Sequence, residues 1–94
     1  MDVVDSDGWS ALHSAVCGGN AEVVREVSST GCDMNAAAND GRTPLHVAAG
    51  KGNTEAALEL IRHGAEKAIV AGADGTPLHE AAWGGHVSTV KAML

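Results

Sequence analysis

The chain contains no phenylalanine and no tyrosine, and its aromatic residues are two tryptophans, Trp9 and Trp83. Without large rings the core must be made of Ala, Val, Leu and Ile, small side chains that fill space only where backbones approach closely. Basic residues are also scarce: 6 Lys and Arg stand against 12 Asp and Glu, for a formal net charge of -6. Nucleic-acid binding needs a basic surface, and a membrane surface attracts Lys/Arg clusters. Neither partner is expected. The acidity favours another protein with a basic patch. Two cysteines, Cys17 and Cys32, make no disulfide framework. Met1–Ser10 has neither the basic nor the apolar region of a signal peptide. No run approaches the ~18 apolar residues of a membrane span. These absences predict a reducing intracellular setting, cytoplasmic or nuclear. The 94 residues are enough for one small domain, and 45% hydrophobic residues are enough for its core.

The chain does have a period. His13, His46 and His79 recur every 33 residues, and with them Leu12, Leu45 and Leu78, Ala15, Ala48 and Ala81, and Gly19, Gly52 and Gly85. A fixed period of this length marks stacked structural units. In the middle copy Asp40-Gly41 is a turn dipeptide. Thr43 caps a helix that Pro44 opens, because proline lacks the N–H that a first turn leaves unpaired. This first helix is expected over 44–51, ended by Gly52. A second is expected over 54–63, with Ala57, Leu60 and Ile61 on one apolar stripe and Gly64 at its C-terminal cap. One such unit cannot bury its own apolar face, so it must stack on its neighbours as an all-α repeat solenoid.

Asp40-Gly41-Arg42-Thr43-Pro44-Leu45-His46-Val47-Ala48-Ala49 resembles the ankyrin repeat. Thr76-Pro77-Leu78-His79-Glu80-Ala81-Ala82 repeats the motif, and Gly31-Cys32-Asp33-Met34-Asn35-Ala36 is similar to the family's Gly-Ala-Asp-Val-Asn-Ala signature. The resemblance runs from about Asp5 to Leu94. It implies stacked helix-turn-helix units with short β-hairpin loops, forming a single domain over residues 1–94. Its repeats are expected at about 5–37, 38–70 and 71–94, the last truncated. It also implies a non-catalytic protein–protein interaction module, using hairpin tips and the concave face of the first helices. The alternative is an ankyrin segment of a larger enzyme or channel, serving as a regulatory or tethering domain.

The copies depart from the pattern. Ser10-Ala11 replaces Thr-Pro, which predicts a less rigid helix start. Ser28 stands where a core Leu is usual in the family, weakening that copy's interior or adapting it as an end. Lys67 and Ala68 replace the usual Val and Asn. Ala73-Asp74-Gly75 places Gly one residue late, which predicts a different third hairpin. Met93-Leu94 stops inside a second helix, so a fragment with an open apolar end is expected, with room for self-association.

No catalytic residue, metal or cofactor is expected. Units stacked about 10 Å apart cannot share zinc ligands at ~2 Å. The resemblance instead makes His13, His46 and His79 hydrogen-bond to their own Ser/Thr and to the next unit's backbone. His63 suits a helix C-terminus, and His86 opens a helix. Cys17 lies four residues after His13 but lacks a third orienting group. Cys32 takes a position that is a small buried Ala in the family, so it is expected to pack. Gly18-Gly19 and Gly84-Gly85 are inter-helix turns, without phosphate-loop spacing. Glu22, Glu55, Glu59 and Glu66 are expected on solvated faces. Asn35 resembles the acceptor of asparaginyl hydroxylases that act on ankyrin repeats; the competing reading is that its side chain ties down its own hairpin.

Neither Trp is equivalent to a core position. Trp9 is equivalent to Arg42, and Trp83 to Gly50. The family varies both positions and uses them on its concave face, together with the positions of Ser6, Asp7, Cys17, Asn39, Asp40, Lys51, Gly72, Ala73 and Gly75. Trp9, Arg42, Lys51 and Trp83 are the expected anchors for a protein partner, with Asp7, Cys17 and Asp40 beside them. The competing reading is that each Trp covers a neighbouring repeat.

Overall fold

A computed structural model describes residues 9–72 and 75–94. Six helices follow one another: α1 (Ala11–Gly18), α2 (Ala21–Ser28), α3 (Pro44–Lys51), α4 (Thr54–Arg62), α5 (Pro77–Trp83) and α6 (Val87–Met93). Each is too short to be stable in isolation; packing and caps hold them. In α1, α3 and α5 the cap is reciprocal. The hydroxyls of Ser10, Thr43 and Thr76 each accept the N–H of the histidine three residues on, at 3.4 Å. Each histidine Nδ1 accepts the cap residue's own N–H, at 3.1 Å. Histidine thus fills the place that Glu or Gln takes in a capping box. Ser10 has the same extended backbone as Thr43 and Thr76. The cap geometry at Ser10-Ala11 thus matches that of the two Thr-Pro starts without a proline. Gly52 closes α3 in the left-handed region at φ 71°. Helix α4 stops at Arg62, one residue before the expected end, where His63 caps it.

The first helices α1, α3 and α5 lie side by side in one layer, and α2, α4 and α6 form a second against it. The core between them is Leu12, Val16, Val24, Leu45, Leu60 and Met93, with Ala48, Ala49, Ala56, Ala57 and Ala81 where helices touch. Helix α3, in the middle, buries every residue from Pro44 to Ala49.

The expected β-hairpins are not seen among the described residues. Among the described residues there is no strand, apart from an isolated bridge at Ser10. The second loop carries backbone bonds from Ala38 N–H to Arg42 O and from Gly41 N–H to Ala38 O, both 2.8 Å, and the third from Ala71 N–H to Gly75 O at 2.8 Å and from Gly75 N–H to Gly72 O at 3.3 Å. These bonds join residues three or four apart along the chain, as in a turn. Ala38 and Ala71 are equivalent, so the third turn closes in the same register as the second despite its late glycine. Its tip, Ala73-Asp74, lies outside the described residues.

Two buried polar residues matter for stability. Ser28 is 6% exposed, and its Oγ has no hydrogen-bond partner. An unpaired buried hydroxyl costs about 1–3 kcal/mol, so copy one is weakened at the position the sequence singles out. Glu59, expected on a solvated face, is buried instead. The stack turns it inward between α2 and α4, where Arg25 reaches it at 3.3 Å and Arg62 at 3.0 Å. Burial alone would raise its carboxyl pKa. Hydrogen bonds and charge from Arg25, then from Arg62, more than reverse this and hold it below 4.5. A lowered folded-state value contributes stability above 4.5, and that contribution is lost as pH falls through the folded value. The urea midpoint of Glu59→Gln should therefore lie below that of the parent at neutral pH and converge with it in acid. A gap that does not change with pH would remove this assignment. Both guanidiniums are largely exposed, so added salt should narrow the neutral-pH gap.

Candidate functional site

The repeat histidines join the units. His46 Nε2 faces the carbonyl of Gly75 at 2.9 Å, and His13 Nε2 faces that of Arg42 at 2.9 Å. A carbonyl only accepts, so each ring carries its proton on Nε2, leaving Nδ1 to accept. Ser10 and Thr43 hydroxyls lie 2.9 and 2.8 Å from those Nδ1 atoms. Both nitrogens of His13 are thus occupied, and neither is turned to Cys17, whose side chain is exposed. Asn53 Nδ2 donates to Val16 O at 3.1 Å, and His86 Nε2 donates to Gly50 O at 3.0 Å. His63 Nδ1 donates to Glu59 O at 2.8 Å, at the end of α4. Among the described residues no three His, Cys, Asp or Glu side chains converge on a common point.

This scaffold fixes one face at the C-terminal ends of α1, α3 and α5. Cys17, Gly50 and Trp83 are equivalent and run across it. Trp83 is 67% exposed, with its ring centroid 5.9 Å from that of His79. Lys51, the last residue of α3, is exposed. Arg42 is less available than expected: its guanidinium is paired with Glu80 at 2.7 Å, across the boundary between units. The pair lies over Gly50, where an added Cβ would come within 3.1 Å of both partners. Asp40 is exposed, and its Oδ1 accepts the Arg42 N–H at 3.0 Å, shaping the turn. Asn39 and Gly72 are exposed at the turns, and Gly75 is half-buried. Ser6, Asp7 and Ala73 lie outside the described residues.

Trp9 stands apart from Trp83. It is half-buried, packs on the core, and lies 5.5 Å from the His13 ring. Cys32 is also packed against the core, with Sγ 3.5 Å from Val27 O. Asn35 Oδ1 accepts the Glu66 N–H at 2.7 Å. It therefore ties its loop to the next one, not to its own turn. Glu80 is the residue that sequence reasoning missed. Its signal was a charge where the middle copy buries Val47.

Among the described residues no helix is long and apolar enough to cross a membrane. No curated protein matches the chain. A family model described as ankyrin repeats, three copies, matches residues 1–71 and again residues 30–94. Such repeats are generally protein–protein interaction modules. With the match extending over its whole length, the chain belongs to the ankyrin-repeat family.

Proposed function

We propose that the chain is a non-catalytic binding module that holds a protein partner on the face formed by the ends of α1, α3 and α5. The observation that carries this reading is the indole of Trp83, 67% exposed at the end of α5. A large apolar ring is kept in water at a cost, and binding hot spots are enriched in tryptophan. Lys51 and Cys17 add exposed contacts, and Trp9 supplies a partly covered apolar edge. Arg42 contributes less, because a partner carboxylate must compete with Glu80. Exposed Glu22, Glu26, Asp33, Asp40, Glu55 and Glu66 surround the stack and favour a partner with a basic patch. The reading places the encounter inside the cell, in a compartment where Cys17 and Cys32 stay reduced.

A photo-crosslinking residue at position 83 or 51 should capture the partner, and one at exposed position 62 on the outer layer should not. Trp83→Ala should weaken binding of that partner by at least about 2 kcal/mol while leaving the helical circular dichroism unchanged. Equal crosslinking from positions 62 and 83, or unaltered affinity, would overturn the reading.

Asn35 is proposed as an acceptor for asparaginyl hydroxylation. It is exposed on a loop between helices, where its Oδ1 accepts the Glu66 N–H and its own N–H donates to Asp33 Oδ1. Peptide mass spectrometry of the protein made in animal cells should show one added oxygen on Asn35. A fully unmodified peptide from those cells refutes the assignment.

A further inference from the structure

The orphaned hydroxyl of Ser28 stands in a sequence and at a place that give it a use. The equivalent residues of the other two units are apolar, Ile61 and Leu94. Ser28 is instead the last residue of α2, 6% exposed, with its Oγ unpartnered. Of all the serines and threonines in the chain it alone has an arginine three residues before it, Arg25. Protein kinases choose substrates by such charge patterns, and one class of them reads an arginine at that spacing. The Arg25 side chain is 56% exposed. The turn that conceals Ser28 is held from outside by exposed groups. Ser29 Oγ donates to Arg25 O at 2.8 Å and to Glu26 O at 3.0 Å, and Thr30 Oγ1 donates to Val27 O at 2.7 Å. A helix end held by exposed bonds around an unpaired buried group is where local opening costs least.

We propose that Ser28 is a concealed phosphorylation site, reached when the last turn of α2 opens, by a protein kinase that reads Arg25. The γ-phosphoryl group of ATP passes to Ser28 Oγ. Its bond to ADP breaks, a bond to Oγ forms, and the hydroxyl proton goes to the kinase's catalytic base. The turn then cannot close. Closing it would set a charge of about -1.5 to -2 at a helix C-terminus, where the carbonyls are already partly negative. It would also bury that charge without a partner. Phosphorylated α2 therefore stays undocked, and the Arg25–Glu59 link between units one and two is lost with it. Contacts in a repeat stack run between neighbours, so the device releases α2 and leaves α5 in place.

Incubation of the chain with magnesium, ATP and cAMP-dependent protein kinase, followed by fragmentation mass spectrometry, tests this. Phosphate should appear on Ser28, several-fold more slowly than in an unfolded peptide of residues 20–34. In that peptide, where no fold intervenes, Arg25→Gln should slow the transfer several-fold. The double variant Ser29→Ala/Thr30→Ala removes the outer bonds and both neighbouring acceptors. It should speed transfer to Ser28 several-fold in the folded chain. Both side chains are exposed, so circular dichroism should confirm that this variant is folded. Hydrogen exchange of the phosphorylated chain should show α2 unprotected and α5 still protected. The proposal is overturned by an unmodified Ser28, by transfer confined to Ser29 or Thr30, or by a rate in the chain equal to that in the peptide. An Arg25→Gln peptide modified at the unaltered rate, or α2 protected after phosphorylation, would overturn it as well.

Discussion

Replacing His46 with alanine is expected to cost about 3–5 kcal/mol, while the same change at the equivalent His79 costs under about 1 kcal/mol. His46 is fully buried and holds two units together. Without its ring the Gly75 carbonyl and the Thr43 N–H lose their partners. Each unpaired buried group costs about 1–3 kcal/mol, and the void left by the ring adds a cavity term. His79 makes the same cap with Thr76, but it is exposed, and its Nε2 has no hydrogen-bond partner among the described residues. Water replaces what its removal exposes. A small domain is stable by only about 5–15 kcal/mol, so His46→Ala should leave much of the population unfolded in mild urea. In a repeat stack the interface terms add between neighbours. The first amides to lose hydrogen-exchange protection in His46→Ala should therefore be those of α5 and α6. Equal urea midpoints for the two variants would show that the inter-unit bond contributes nothing.

Gly52→Ala is expected to cost about 2–4 kcal/mol, against about 1 kcal/mol for Gly85→Ala. Both glycines lie in the turn that follows a first helix, in the left-handed region at φ 71° and 72°. That conformation alone costs a residue with a Cβ about 1–2 kcal/mol. The surroundings separate them. A Cβ on Gly52 would lie 2.6 Å from Nδ1 of the His86 ring, whereas one on Gly85 meets nothing within 4 Å. His86 cannot simply swing away, because its Nε2 donates to Gly50 O. The substitution therefore forces out an inter-unit hydrogen bond as well as straining the backbone. Thermal unfolding of both variants measures the difference. Similar losses at the two sites would mean that the His86 ring yields freely.

The interior of the stack was readable to the extent that it is local. Ser10, Thr43 and Thr76 cap helices whose starts were visible in the sequence, because a cap needs only residues within one turn. The 33-residue period located the three histidines and their links to the next unit, which the ankyrin resemblance implied and which both internal boundaries display. Ser28 was visible as a weak point because a hydroxyl stands at a position equivalent to Ile61.

The candidate face was legible only in part. Trp83 stands in water where the alignment placed it, but Trp9, from the same alignment, is half-buried on the core. Arg42 looked like a free anchor until Glu80, 38 residues away, proved to be its partner. Glu59 looked solvated until Arg25 and Arg62 enclosed it. Asn35 was read within its own loop, yet it bonds to Glu66 in the next one.

From the sequence alone came the family, the period, the helices and their caps, because backbone propensity and hydrogen bonding within a turn depend on neighbours along the chain. The tertiary structure decided which charges are buried and which tryptophan is exposed. Those outcomes depend on how closely one unit stacks on the next, and the small buried side chains of Ala48 and Ala49 on α3 and Ala81 on α5 allow that close approach.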